Sequence, residues 1–141
     1  MASGRTTRHR LCCAVVALAL AGPGCNWFNS TSPSDTVAKT ETFSGTLTPQ
    51  GSSVFTFTVS KTGQVNLTLT SVAPTATTPL GLGIGNPNGT ACTTSTSTPN
   101  AIAGSAAQIS VNETPGTYCV RVYDSGSLSG TVTFTVTVAH S

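Results

Sequence analysis

Threonine alternates strictly with apolar residues near the C-terminus of this chain of 141 residues. From Thr131 to Val138, threonine occupies every odd position and Val or Phe every even one. Residues 55–59, 65–69 and 80–84 repeat the alternation with Thr, Asn or Gly between the apolar residues. Because successive side chains of a β-strand point to opposite faces, one face is buried and the other meets water. The pattern therefore predicts half-buried antiparallel strands.

Four further segments bring the expected number of strands to about eight, and turn signals separate them. These segments are residues 43–48, a short strand near Cys92, residues 107–112 and residues 118–124. The turns contain Pro-Gln-Gly, Thr-Gly, Asn-Pro-Asn-Gly, Pro-Gly and Ser-Gly sequences. No segment shows a sustained helical period. We therefore predict an all-β fold, an antiparallel two-sheet sandwich of the jelly-roll or Greek-key kind.

The composition agrees with this fold and excludes other classes of protein. Ser and Thr supply 44 residues, whereas Asp, Glu, Lys and Arg together supply only 10. A coiled coil needs far more Ala, Leu, Glu and Lys, and charge-driven disorder needs many like charges. Binding to nucleic acid needs a basic face, which so few cations cannot form. We therefore expect no nucleic-acid partner.

The first 24 residues carry the pattern of an export signal. Arg5, Arg8 and Arg10 precede an apolar run over residues 11–22, which is short for a membrane span. Such a signal is removed, and the remaining chain then has three cations and four anions, a net charge of −1. The alternatives are an N-terminal membrane anchor and a buried helix.

Small residues precede Cys25 at the end of this signal. The segment Ala-Gly-Pro-Gly-Cys over residues 21–25 resembles the lipobox of bacterial lipoproteins. The resemblance implies that Cys25 is lipidated, which places the protein on a membrane of the bacterial cell envelope. The stretch that follows is rich in Asn, Ser, Thr and Pro, so we expect residues 25–40 to form a flexible tether. The alternative is cleavage after Ala19-Leu20-Ala21, an A-x-A site that would release a soluble secreted protein.

Two cysteines remain for the domain that we expect over residues 41–141. An even pair in an exported chain predicts one disulfide, between Cys92 and Cys119. Its closed loop would stabilise the fold by about 3.6 kcal/mol in the chain-entropy model. The alternative is a pair of buried thiols. Alternation around Cys119 places it on the same face as Arg121 and Tyr123, the less apolar face of its sheet.

Candidate catalytic and metal-binding residues are few, and we expect neither an enzyme nor a cofactor or metal site. His140 lies one residue from the end, where fraying would make it a poor general base. The carboxylates are widely spaced and suit neither paired acid–base chemistry nor calcium binding. Gly81, Gly83 and Gly85 precede no helix, so their spacing indicates close strand packing and not a phosphate site.

The candidate ligand-binding residues are Arg121, Tyr123 and Asp124, beside the loop over residues 125–130. Together they offer stacking and hydrogen bonding for a sugar or a peptide. The alternative is that Arg121 and Tyr123 only cover the outer face of the sheet.

A family resemblance rests on residues 114–124, Thr-Pro-Gly-Thr-Tyr-Cys-Val-Arg-Val-Tyr-Asp, and the alternating strand that follows. With the early segments 43–47, 55–59 and 63–69, this part of the chain resembles the bacterial pre-peptidase C-terminal domains over about residues 41–139. The resemblance implies a jelly-roll-like sandwich on an exported protein, usually beside an extracellular enzyme, and some members bind polysaccharide or fibrous protein. We therefore expect a structural or adhesive module on the cell surface. The alternative is a carbohydrate- or peptide-binding accessory domain for a separate secreted enzyme.

Overall fold

The computed structural model of this chain describes residues 38–141, and strands dominate this part. Eight strands are present: β1 (Lys39–Leu47), β2 (Ser52–Val59), β3 (Gly63–Ala73), β4 (Leu80–Asn88), β5 (Ala91–Ala101), β6 (Ile109–Glu113), β7 (Gly116–Tyr123) and β8 (Val132–His140). The described residues contain no helix. The all-β prediction and the expected number of strands are therefore confirmed.

The strands form two antiparallel sheets of four, with orders β1-β8-β3-β6 and β2-β7-β4-β5. The pairing is nested: β4 pairs with β5, β3 with β6, β2 with β7 and β1 with β8. A long two-stranded ribbon that rolls up on itself produces this order, which is the jelly-roll arrangement. The predicted sandwich is thus of the jelly-roll kind.

The core lies between the two sheets and consists of the apolar residues that alternate along each strand. Its fully buried large side chains are Phe134, Leu47, Leu67, Leu69, Leu80, Leu82, Ile84, Val59, Val65, Val120, Val122 and Val136. On β8 the threonines at positions 133, 135 and 137 point the other way, toward solvent. Burial of such side chains is the main favourable term in folding. Period-two alternation therefore predicted correctly which residues fill the core.

Strand β5 differs from the prediction, which placed only a short strand near Cys92. It extends over 11 residues, from Ala91 to Ala101, and is rich in Ser and Thr. An edge strand has one hydrogen-bonded neighbour, and most side chains of β5 are exposed or half-buried. Apolar alternation is therefore weak in β5, and its main-chain hydrogen bonds with β4 hold it in the sheet.

The chain alternates between the two ends of the sandwich, and the two ends differ. At one end lie the first residue of β1, Lys39, and the last residue of β8, His140, which are paired. At the opposite end lie the loops over residues 48–51, 74–79, 102–108 and 124–131, which connect the other ends of the strands. Strands of eight or nine residues separate the ends by about 30 Å.

Candidate functional site

Arg121 and Tyr123 lie side by side on the outer face of the β2-β7-β4-β5 sheet, as alternation along β7 predicted. Both are half-buried. The guanidinium carbon of Arg121 lies 4.9 Å from the centre of the Tyr123 ring. This distance is typical of a cation–π contact, which holds the two side chains together.

The Tyr123 ring packs on the main chain of β4 at Gly81. Tyr123 is paired with Gly81, and a Cβ atom on Gly81 would overlap the atoms of the ring. A Cβ on Gly83 would lie 2.8 Å from the Thr94 methyl carbon of β5. These glycines therefore allow neighbouring side chains to lie against the main chain of β4. Close packing of neighbouring side chains against β4 therefore explains the spacing of these glycines.

The disulfide joins Cys92 of β5 to Cys119 of β7 on this same outer face, and so the predicted pairing is confirmed. Strand β4 lies between β5 and β7 in the sheet, yet the two Cα atoms are only 5.8 Å apart. The bridge crosses β4 near Gly85, which is paired with Cys119. A Cβ on Gly85 would overlap the main chain of Thr93. Absence of a side chain at position 85 lets the start of β5 approach β7.

The Asp124 carboxylate binds main-chain amides of two loops. Its Oδ1 accepts hydrogen bonds from the N–H groups of Gly126 (2.8 Å), Ser127 (2.9 Å) and Leu128 (3.2 Å). Its Oδ2 accepts one from the N–H of Gln50, at 2.9 Å. Asp124 therefore fastens the β7–β8 loop to the β1–β2 turn.

These hydrogen bonds also set the ionisation of Asp124. Donation by the Gln50 amide is the largest cause of a lowered pKa, desolvation opposes it, and the amides of the β7–β8 loop lower the pKa further. Asp124 thus remains an anion that holds loops, with its oxygens already bonded. Of the three candidate binding residues, Arg121 and Tyr123 contact one another, whereas the carboxylate of Asp124 is bonded to loop amides.

A groove of about 160 Å³ lies at the loop end of the sandwich. One wall is the β7–β8 loop with Ser127, Leu128 and Ser129, and the other is the β3–β4 loop with Pro74 and Thr78. The hydroxyl of Ser127 donates to the carbonyl oxygen of Pro79 at 2.8 Å and so joins the two walls. Hydroxyl groups and a few apolar side chains line the groove, without a charged residue.

Sequence reasoning identified only one wall of this groove, residues 125–130. The second wall, residues 74–79, is rich in Pro and Thr and stands between two apolar strands. That composition indicates a loop. The composition does not indicate that the β7–β8 loop lies beside this one. The strands that precede the two loops, β3 and β7, belong to different sheets, so their proximity depends on how the sheets pack.

His140 corrects an expectation, because it is not at a frayed end. It is the last residue of β8, and its side chain is only 2% exposed. Nε2 lies 3.1 Å from the Glu41 carboxylate, and the ring packs on Phe57 with centres 5.2 Å apart. Pairing of β8 with β1 continues to Lys39, which leaves no loose end at His140. Expectations based on distance from the terminus overlooked this pairing.

Glu41 receives a second donor, Lys39, whose ammonium group lies 2.7 Å from the same carboxylate oxygen. The hydrogen bond from Lys39 is the largest cause of a lowered pKa at Glu41, and His140 lowers it further against the opposing effect of burial. The Glu41 carboxylate and the His140 ring therefore both have bonded or packed partners within the fold. Among residues 38–141, no three His, Cys, Asp or Glu side chains are grouped to hold a metal ion.

Cys25 and residues 1–24, the predicted export signal, lie outside the described residues, so their roles stay predictions. Within residues 38–141, no helix is long and apolar enough to cross a membrane.

Comparison with known proteins identifies the family of this chain. No curated protein sequence matches the chain. A model of the bacterial pre-peptidase C-terminal domain matches residues 51–124, which is 74 of the 141 residues and extends from β2 to the end of β7. The match includes Cys92, Cys119 and the Arg121–Tyr123 pair, and it covers strands β2 to β7 in full. The chain therefore belongs to the bacterial pre-peptidase C-terminal domain family.

Proposed function

We propose that this protein is a non-catalytic, lipid-anchored module on the surface of a bacterial cell, with a structural or adhesive role. The observation that carries the proposal is the position of the two ends of the sandwich. Strand β1 begins at Lys39, only 14 residues after Cys25, and the groove lies at the opposite end of the sandwich. A chain anchored at Cys25 would therefore enter the domain at Lys39, and the groove lies about 30 Å from that residue, at the opposite end of the strands.

The proposed anchor has a clear physical basis. Each methylene group that an acyl chain buries in a membrane contributes about 0.8 kcal/mol, and stable attachment needs more than one acyl chain or a second signal. The described domain has three cations and three anions, so it supplies no strongly basic surface as that second signal. A lipoprotein-type modification of Cys25 with several acyl chains would meet this need.

A non-catalytic role is supported by the use of the polar side chains. The pair that most resembles an acid–base site, Glu41 and His140, is built into the end of the sandwich, where His140 is buried. The Asp124 carboxylate binds four main-chain amides. Each of these groups has a structural task that explains its position.

Metabolic labelling with a fatty acid tests the anchor in cells that export the protein. The wild-type chain should carry the label, and the Cys25→Ser variant should lose it. Cys13→Ser is the matched control, because this cysteine lies within the export signal and should not affect labelling. Label that persists in Cys25→Ser, or an unlabelled protein in the medium cleaved after Ala21, would contradict the proposal.

The second candidate function is a carbohydrate- or peptide-binding accessory domain that serves a separate secreted enzyme. The groove favours it, because hydroxyl-lined walls joined by the Ser127–Pro79 hydrogen bond form a preorganised concave surface. The Arg121–Tyr123 pair offers a further stacking surface. Retention on insoluble polysaccharides or fibrous proteins should then fall in Thr78→Ala or Tyr123→Ala and persist in Thr96→Ala, on the distant β5 edge. No retention of the wild-type protein would exclude this function.

A further inference from the structure

The two open sides of the sandwich differ in how their edge strands are protected. On one side, β5 has two shifts of register and contains Pro99, which has no N–H to donate. Strand β6 has only five residues. Beyond β6, the loop over residues 102–108 covers the edge of β3: Gly104 and Gln108 donate main-chain hydrogen bonds to Leu69 and Leu67. Short strands, bulges, proline and covering loops all prevent an edge from pairing with another strand.

The opposite side, formed by β1 and β2, has none of these devices. β1 pairs with β8 over nine consecutive residues and β2 with β7 over eight, without a shift of register. Neither strand contains proline, and the charges are confined to Lys39 and Glu41 at the start of β1. Within residues 38–141, no loop or side chain hydrogen-bonds to the free main-chain edges of these two strands. Long, regular edges without charges along most of their length are the kind that accept another strand.

An aromatic pair marks the middle of this open side. Phe43 is the central residue of β1, and Phe55 lies at the middle of β2. Their rings stack across the gap between the sheets with centres 5.1 Å apart. Both are half-buried, whereas Phe134, which contacts Phe55 from the core, is buried. The open side therefore presents two strand edges centred on one partly exposed apolar pair.

We propose that this side is an interface with a second copy of the chain, in which β1 pairs with β1 and β2 with β2 about a two-fold axis midway between the Phe43–Phe55 stacks of the two copies. An antiparallel pair of identical strands is symmetric about an axis perpendicular to its sheet. Because both strands are centred on the same stack, one axis aligns both pairs. A single extended peptide would cover one of the two edges, whereas a second copy covers both and closes the assembly.

The register that this axis imposes is compatible with the side chains. Opposite residues of an antiparallel pair lie on the same face, so Phe43 faces Phe43 and Thr42 faces Ser44 of the other copy. Lys39 then lies opposite Leu47, and like charges do not face one another. On β2, Phe55 faces Phe55, and Val54 faces Thr56. Each four-stranded sheet continues into one of eight strands, within the usual range for open sheets.

Thiol cross-linking in cells that produce the full chain tests the interface. In the paired register, the two copies of residue 42 are diagonal neighbours, about 7–8 Å apart. Thr42→Cys with a short bis-maleimide should therefore yield a species of twice the monomer mass. Thr96→Cys, on the protected β5 edge, should yield none above the wild-type background. No dimer at position 42, equal dimer at both positions, or cross-links only to other proteins would overturn the proposal.

A second pair of variants tests whether β2 contributes to the same interface. Ser52→Lys with Thr58→Lys, two exposed positions whose partners on β7 are uncharged, would place two lysines of each copy opposite two of the other, and like charges directly opposite are destabilising. When these changes are added to the Thr42→Cys chain, the yield of cross-linked dimer should fall several-fold. Thr93→Lys with Thr96→Lys adds the same charge at the β5 edge and should leave the dimer unchanged. Equal dimer in both lysine pairs would contradict pairing of β2, provided that the Cys92–Cys119 bridge is intact in each variant.

Discussion

The Tyr123 ring fills the space above Gly81 that a side chain on β4 would need. This relationship explains two residues at once. Glycine at position 81 provides a flat surface, and the tyrosine covers main chain that would otherwise be exposed on the outer face of the sheet. The Arg121 guanidinium then packs with the ring.

The first prediction follows from this contact. Gly81→Ala should lower the free energy of unfolding by about 1–3 kcal/mol, because the ring must move to admit the new methyl group. Urea unfolding followed by circular dichroism measures the change. Gly130→Ala is the control, since no atom lies within 4 Å of a Cβ at that position. The effect of Gly81→Ala should largely disappear in a Tyr123→Ala background, and an equal effect in both backgrounds would show that the ring is not the cause.

The second prediction concerns the Asp124 carboxylate. Its pKa is lower in the folded state than in the unfolded chain, so its contribution to stability is present above the unfolded pKa and is lost as the pH falls through the folded pKa. Asp124→Asn should destabilise the protein at neutral pH and flatten the acid part of its stability profile, below about pH 4. Denaturant unfolding as a function of pH measures both effects.

The matched control for Asp124 is Glu113→Gln, a carboxylate at the end of β6 that accepts no hydrogen bond from the described residues. It should leave the acid profile closer to that of the wild type. If the free energy of unfolding of Asp124→Asn falls with acid as steeply as that of the wild type, the charge of Asp124 does not strengthen its hydrogen bonds with the loop amides.

The third prediction concerns the buried end of β8. His140→Ala should lower the free energy of unfolding by about 1–3 kcal/mol, because it removes packing on Phe57 and the buried partner of Glu41. Lys39→Ala should lower it by only about 0–1 kcal/mol, since the Lys39 side chain is 63% exposed. Chemical unfolding of the two variants measures this difference. Similar losses would contradict a contribution from the burial of His140.

The fourth prediction concerns the covalent bridge over β4. Replacing both Cys92 and Cys119 by alanine should lower the free energy of unfolding by about 3.6 kcal/mol, because the unfolded chain loses the constraint of the closed loop. Reduction of the wild-type protein should produce a similar shift in the urea midpoint. A midpoint that does not change on reduction would show that strand pairing alone holds β5 in place.

Local patterns in the sequence were sufficient for the fold class and for the core. Alternation along β8, from Val132 to Val138, has a period of two because a strand exposes its side chains alternately, and this property belongs to the strand itself. The cysteine pair was predictable for a similar reason, since only Cys92 and Cys119 remained in the expected domain. Alternation also placed Arg121 and Tyr123 on a shared face.

Only the tertiary structure decided which distant segments meet. Gln50 and Asp124 are 74 residues apart, and their hydrogen bond depends on the nesting of β1–β2 with β7–β8. The groove depends in the same way on two loops from separate parts of the chain, and the burial of His140 depends on its pairing with Lys39. Local patterns report how each strand divides its faces between core and solvent. Strand order determines neighbours, and that order results from the packing of the whole rolled ribbon.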